Sequence, residues 1–366
     1  MRFVEGLAGA LLISLTLVDI FQSVVVPRAS SGWLRFSRHV LRISWSAFRR
    51  AGLRTRSGQR RERILGAFGP FVVILLLVVW VTLLIVGFGT LLDALRDQIR
   101  PVPPDYWASL YFAGTALLTI GFGDYTAVGI PARFISLAAG ATGLGTFALV
   151  VTFLFSLFGS FQRREIEVVT LEASAGAPPS GVTFLETYRR AGMIDQLDAA
   201  FERWQRWSAE VLDSHLAYPV LAYFRSSHDN DSWISSLGAI MDAATLVLTT
   251  IEDGSKGWAK MASWVGGHCI EDLAQYFRLD GEAFVGVEFE EFVQARIRLE
   301  AAGYALRPES ESWEAFQAKR LTYAGRVNSL ARYWASPPAQ WVGDRSPLRF
   351  RHATSAAVPQ DPTRVG

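Results

Sequence analysis

The sequence predicts an all-α membrane protein: three transmembrane helices, with a re-entrant segment between the second and third, followed by an all-α cytoplasmic domain. Three observations predict it. Two runs carry no charge, residues 69–92 and 134–162, and each exceeds the roughly 20 residues that cross a bilayer core of about 30 Å as a helix. Charge is unevenly divided. Residues 1–165 hold 17 Arg, no Lys and 8 acids, a net of +9, whereas 166–366 hold 16 Arg, 3 Lys and 26 acids, a net of −7. In the second half helical periodicity recurs and alternating strand patterns are absent. With only 19% charged residues and a mean hydropathy of +0.22, a purely soluble chain is excluded, since such chains carry about 25%. The lone Cys269 excludes a disulfide framework.

The first span covers about 7–26, within an N-terminal segment 1–27. No small-residue cleavage site follows it, so it reads as an anchor helix and not as a removable leader. Its one acid, Asp19, is a functional candidate, because intramembrane ionisable groups are rare; the expected partner is Arg28 or a neighbour.

Residues 28–65 form a basic loop, in which eleven arginines face the single acid Glu62. Such a block beside hydrophobic spans marks the cytoplasmic side. An arginine run can also bind nucleic acid, but its place between two spans argues for the membrane surface, so no nucleic-acid partner is expected. The N-terminus is then external, the second span (66–92) runs outward, and 93–129 lies outside. The third span (131–161) returns and ends at the flanking charges Arg163 and Arg164, and everything after it is cytoplasmic. At 100° per residue, Trp33, Val40, Leu41, Trp45 and Phe48 share one face of the loop, with Arg35, Arg38, Arg42, Arg49 and Arg50 opposite. That pattern fits an interfacial amphipathic helix, and equally a helix packed on the cytoplasmic domain.

Between the second and third spans, an apolar stretch starting at Tyr106 is too short to cross the bilayer. It leads into Thr119-Ile120-Gly121-Phe122-Gly123-Asp124. Non-helical backbone at membrane depth is tolerated only when buried in protein or lining an aqueous cavity. Gly121 and Gly123 permit positive φ, which lets successive carbonyls turn toward one axis. A second Gly-Phe-Gly, residues 87–89, lies inside the second span with no re-entrant helix before it, and reads as close helix packing.

This hexapeptide resembles the selectivity filter of the potassium channel superfamily. Its setting is similar to the outer helix, pore helix, filter and inner helix of two-transmembrane channels, over residues 66–162. The resemblance implies that the carbonyls of Thr119, Ile120, Gly121 and Phe122 and the Thr119 hydroxyl coordinate dehydrated K+. It implies too that Gly123 permits the outermost turn and that Asp124 braces the loop at the mouth. Phe122 stands where the family most often has Tyr, and Leu118 where a second Thr is common. With one filter element per chain, four-fold closure implies a homotetramer, embedded in membrane lipid and needing no cofactor beyond permeant K+.

The uncharged third span is about 43 Å long as a helix, longer than the hydrocarbon core, so it tilts, kinks or projects. Gly140, Gly143 and Gly145 are hinge or close-packing candidates. Phe158, with Phe153, Phe155 and Phe161, is a gate candidate. No span carries the repeated arginines of a voltage sensor.

After a linker (163–182), helices are expected at about 183–191, 195–213, 232–252, 256–278, 288–303 and 309–335, within a domain 183–336. Eight of the twelve tryptophans fall in this half. Residues 237–251 are apolar but short and contain Asp242, which indicates a buried core helix and not a fourth span. No strand followed by G-x-G-x-x-G appears, so no nucleotide-binding regulatory domain is indicated. His228, Asp229 and Asp231 form a weak divalent-ion candidate, against which stands a helix N-cap at Asp231. The tail 337–366 reads as disordered. The expected protein is a K+-selective channel of a bacterial inner membrane, without catalysis and with an unidentified cytoplasmic ligand. The alternatives are a non-selective cation channel and a membrane-anchored signalling or scaffold protein with a vestigial pore.

Overall fold

The computed structural model describes residues 2–26, 36–226, 230–279 and 286–343. These form an all-α membrane protein, in which three helices are long and apolar enough to cross a bilayer. The first, α1 (Arg2–Val24), is followed by α2 (Phe36–Arg54) and the short α3 (Gly58–Gly66), which Ser57 caps by accepting from the Arg60 amide. Next come α4 (Phe68–Ala94), α5 (Tyr106–Leu117) and α6 (Ile130–Ala175). The remaining helices build the C-terminal domain: α7 (Gly181–Arg190), α8 (Leu197–Ala217), α9 (Trp233–Thr249), α10 (Gly257–Phe277), α11 (Phe289–Ala301), α12 (Glu309–Leu321) and α13 (Ala324–Tyr333).

The spans α1 and α4 pack antiparallel through small residues. A Cβ on Gly9 would stand 2.7 Å from the Gly87 carbonyl, and one on Gly87 would stand 2.6 Å from Ile13. A Cβ on Gly89 would press on Leu110 of α5 at 2.5 Å. The internal Gly-Phe-Gly is therefore a packing surface, with each glycine serving a different neighbour. Arg2 pairs with Asp97, so the start of α1 meets the segment that follows α4.

Among the described residues buried Asp19 meets no arginine, and the expected partner Arg28 lies outside them. Asp19 accepts from the Trp80 indole at 2.8 Å, from the Ser37 hydroxyl at 3.0 Å and from the Ser37 amide at 3.2 Å. The carboxylate thus sits at the start of α2, where unsatisfied amides and the helix dipole favour negative charge.

The basic segment is pinned to the helical domain. Trp45 is buried, with its ring 5.0 Å from Phe68 and 5.2 Å from Tyr223. Glu62 meets Arg225 at 2.5 Å, and Arg225 also donates to the carbonyls of Trp334 and Ala335. Of the two readings of the amphipathic pattern, packing on the domain uses the tryptophan face; residues 27–35, including Arg28, Trp33 and Arg35, lie outside the described residues.

Two boundaries differ from expectation. The linker expected from 163 is helix as far as Ala175: α6 continues without a break, and Arg164, Val168 and Leu171 bury against the domain. Residues 337–343, expected as tail, are packed on the domain: Ala339, Trp341 and Val342 are buried and Arg320 donates to the Trp341 carbonyl at 2.6 Å; residues 344–366 lie outside the described residues. The expected long final helix is broken into α12 and α13 at Thr322 and Tyr323. As expected, α9 is a core helix: every residue but Leu248 is buried. Its one acid, Asp242, is held by Arg320 at 2.8 Å and by the Tyr323 hydroxyl at 2.6 Å.

Candidate functional site

The re-entrant helix α5 begins at Asp105, whose side chain accepts from the Ala108 amide at 2.9 Å. Ser109 donates to buried Asp93 at 2.8 Å, and Thr90 bonds Tyr106, fixing the helix to α4. Two short strands, one before α5 (β1, Ile99–Arg100) and one after the loop that follows it (β2, Thr126–Ala127), pair antiparallel and clip the segment into a closed loop. Two-residue strands carry no readable periodicity, so sequence patterning misses them.

Beyond α5 the backbone alternates in handedness. Thr119, Gly121 and Gly123 have φ of 56°, 60° and 81°; the residues between them lie at negative φ. Alternation of this kind turns successive carbonyls toward the same side, and glycine adopts it without steric cost. The amides face the other way. Ile120 and Gly121 both donate to the Thr115 carbonyl, at 2.9 and 3.3 Å, and Thr119 donates to Ala116 at 3.1 Å. Among the described residues no hydrogen bond reaches the carbonyls of Thr119, Ile120, Gly121 or Phe122. A row of unpartnered carbonyls therefore stands at the C-terminal, partially negative end of α5.

The flanking side chains support this row from behind. The Phe122 ring lies parallel to Tyr111 of α5, with centroids 6.4 Å apart, and Asp124 lies beside the Tyr111 hydroxyl. Tyr125 meets Tyr111 edge-on at 6.2 Å. Phe122 is thus positioned by ring stacking, without a hydroxyl of its own. Leu118 is half exposed.

The inner helix α6 passes directly behind. A Cβ on Gly143 would fall 1.7 Å from the Leu117 carbonyl, far inside contact distance, while Gly140 faces the Ala116 carbonyl at 3.5 Å and Gly145 meets nothing within 4 Å. Close packing on α5 therefore accounts for Gly143, and α6 has no break at the three glycines. Farther along, Phe158 and Phe161 contact Phe224 at 6.1 and 5.6 Å, Phe153 meets Tyr218 at 5.6 Å, and Phe155 is exposed.

Sequence reading missed the junction just beyond. Arg164, expected as a flanking charge, is buried. It donates to Glu165 at 2.8 Å, to the carbonyls of Leu221 and Phe224 at 3.0 and 2.8 Å, and to His215 Nε2 at 3.3 Å. Because the guanidinium only donates, His215 carries its proton on Nδ1, which donates to the Val211 carbonyl at 2.8 Å. Burial, then the Arg164 charge, holds His215 well below the usual imidazole range. An adjacent Arg-Glu pair ending an uncharged run was the available signal.

The divalent candidate is not assembled in the described residues. His228 and Asp229 lie outside them, and the N-cap of α9 is Ser232 and not Asp231. No group of three His, Cys, Asp or Glu able to hold a metal occurs among the described residues. Cys269 is buried, which pushes its thiol pKa up and leaves it inert.

Residues 76–160 match the family model described as "Ion channel", which supports an ion channel built on α4, α5 and α6. An uncharacterized membrane protein of Bacillus subtilis (strain 168), YdjJ, is 22% identical over 245 residues, 66% of this chain and 68% of that one. That likeness extends well past the matched pore segment. No solved structure matches.

Proposed function

We propose that the protein is a homotetrameric, potassium-selective channel of a bacterial inner membrane, with its N-terminus outside and its helical domain in the cytoplasm. The observation that carries this reading is the unpartnered carbonyl row at Thr119, Ile120, Gly121 and Phe122, set by alternating backbone handedness. Four such rows around an axis replace the hydration shell of K+, and one chain contributes one row. Gly123 permits the outer turn, and Asp124 with Tyr111 braces the mouth. No catalysis is proposed. Conduction is passive, and α6 carries signals between the helical domain and the pore.

Flux through the purified protein in liposomes tests it. K+ efflux, with a reversal potential that follows the K+ gradient in mixed Na+ and K+, is the expected result. Replacing Gly121 with Ala strains a φ of 60° and is expected to abolish conduction or selectivity. Unaltered permeation in Gly121→Ala removes the filter assignment. A non-selective cation channel is the second reading, favoured by Phe122, whose ring is stacked and not hydrogen-bonded; equal Na+ and K+ permeability selects it. Absence of any flux from an intact tetramer selects a scaffold with a vestigial pore.

A further inference from the structure

A cavity opens where the basic segment, two of the spans and the helical domain meet. Its membrane-side walls are Leu76, Leu77 and Trp80 of α4, with Val150 and Phe153 of α6. On the domain side stand Tyr218, Tyr223 and Tyr276, and the lining also includes Arg38, Arg42 and Arg278, of which Arg42 and Arg278 are exposed. It holds about 90 Å³ of free space, several times the roughly 10–15 Å³ that admits one water. Close-packed interiors contain few voids of that size.

Position, wall chemistry and charge converge on one occupant. Val73 and Trp80 both line the cavity, so it reaches about 10 Å along α4 from the membrane end that faces the domain. Apolar walls at that depth suit an acyl chain and gain nothing from water. The arginines carry no internal counter-charge: Arg38 lies over the Tyr276 ring at 5.5 Å, and no carboxylate pairs with Arg38, Arg42 or Arg278 among the described residues. Guanidinium groups bind phosphate by paired N–H donors, and basic pockets between membrane helices bind anionic headgroups.

We infer that this cavity is a binding site for an anionic phospholipid, whose phosphate is held by Arg38, Arg42 and Arg278 while an acyl chain enters the slot between α4 and α6. The site is built by this chain's own α2 and helical domain together with the spans. A lipid seated there touches α4 and α6 on one side and Tyr223 and Tyr276 of the domain on the other, and so reinforces the direct Phe153–Tyr218 contact between the inner helix and the domain. A soluble phosphate would use the arginines but leave the apolar slot empty. The inference stands apart from the conduction reading, because its readout is lipid and not current.

Native mass spectrometry of the full-length protein, extracted from vesicles of phosphatidylcholine mixed with phosphatidylglycerol, tests it. The wild type is expected to retain phosphatidylglycerol over phosphatidylcholine. The exposed pair Arg42→Gln and Arg278→Gln together are expected to weaken that retention about tenfold or more, the scale of a lost charge-assisted bond. Leu41 of α2 also lines the cavity, and Leu41→Trp, which fills it without changing charge, is expected to expel the lipid too. Circular dichroism melting checks that each variant is folded, and either variant alone suffices. Equal retention of both lipids, undiminished phosphatidylglycerol in the folded variants, or displacement by inorganic phosphate at millimolar level overturns the inference.

Discussion

Helices α1 and α9 are both apolar, yet they live differently. Only 22% of the most apolar window of α1 is covered by protein, and Phe3, Leu7, Leu11 and Phe21 stand exposed. In α9 all but one residue is buried, under α7, α10, α12 and α13. The helical domain supplies its own apolar coat, whereas the spans require one from outside: hydrocarbon, and in the proposed assembly other copies of the chain. Length separates the two cases: 17 residues make about 26 Å of helix, short of a hydrocarbon core of about 30 Å, whereas 23 make about 35 Å. The two halves should accordingly fail in different ways when perturbed.

The largest effect is expected in the membrane half. Gly143→Val places side-chain atoms inside the Leu117 carbonyl, with no flexible neighbour to yield, so α6 must separate from α5. The expected outcome is loss of ion flux and of assembled protein on size-exclusion chromatography, while the helical domain keeps its near-ultraviolet circular dichroism. Concurrent loss of that signal would show that the halves do not fail separately.

Next comes the helical domain. Arg320→Ala strips the buried Asp242 carboxylate of its ion pair, a loss of about 3–5 kcal/mol for a buried pair broken on one side. Thermal unfolding of the domain measures it, and an unchanged melting point would remove Asp242 and Arg320 from the core argument.

The junction between the halves gives a smaller, pH-dependent effect. His215 is neutral in the folded state because burial and Arg164 depress its pKa, while the unfolded imidazole titrates near 6.5. Below about pH 6.5 the unfolded chain takes up a proton that the folded chain does not, so stability is full above this range and falls on acidification. His215→Gln is expected to flatten the drop in melting temperature between pH 7.5 and 5.5; an equal drop in the variant would place the sensitivity elsewhere. Smallest of all is Glu202→Ala, which removes an exposed pair with Arg206 and should shift stability by less than about 0.5 kcal/mol.

What the sequence made legible follows from range. Uncharged runs, the arginine block and the Thr119–Asp124 hexapeptide are local signals, and they place the spans and the carbonyl row. The partners of Asp19, Arg164 and Glu62 are not local: Trp80, His215 and Arg225 lie 61, 51 and 163 positions away. Arg164 read as a flank because a charge after an apolar run normally meets headgroups, and only the fold reveals two backbone carbonyls waiting for it. The tail boundary failed for a related reason: Pro337 and Pro338 suggest disorder, but Trp341 finds Arg320 and Phe316 across the domain.

The unbroken course of α6 has a mechanical consequence. A rod of 46 residues is about 69 Å long, and some 48 Å of it lies beyond Gly143. Pivoting it there by about 5° carries the Ala175 end through about 4 Å, so a displacement the size of one side chain in the helical domain corresponds to a barely visible tilt at the carbonyl row.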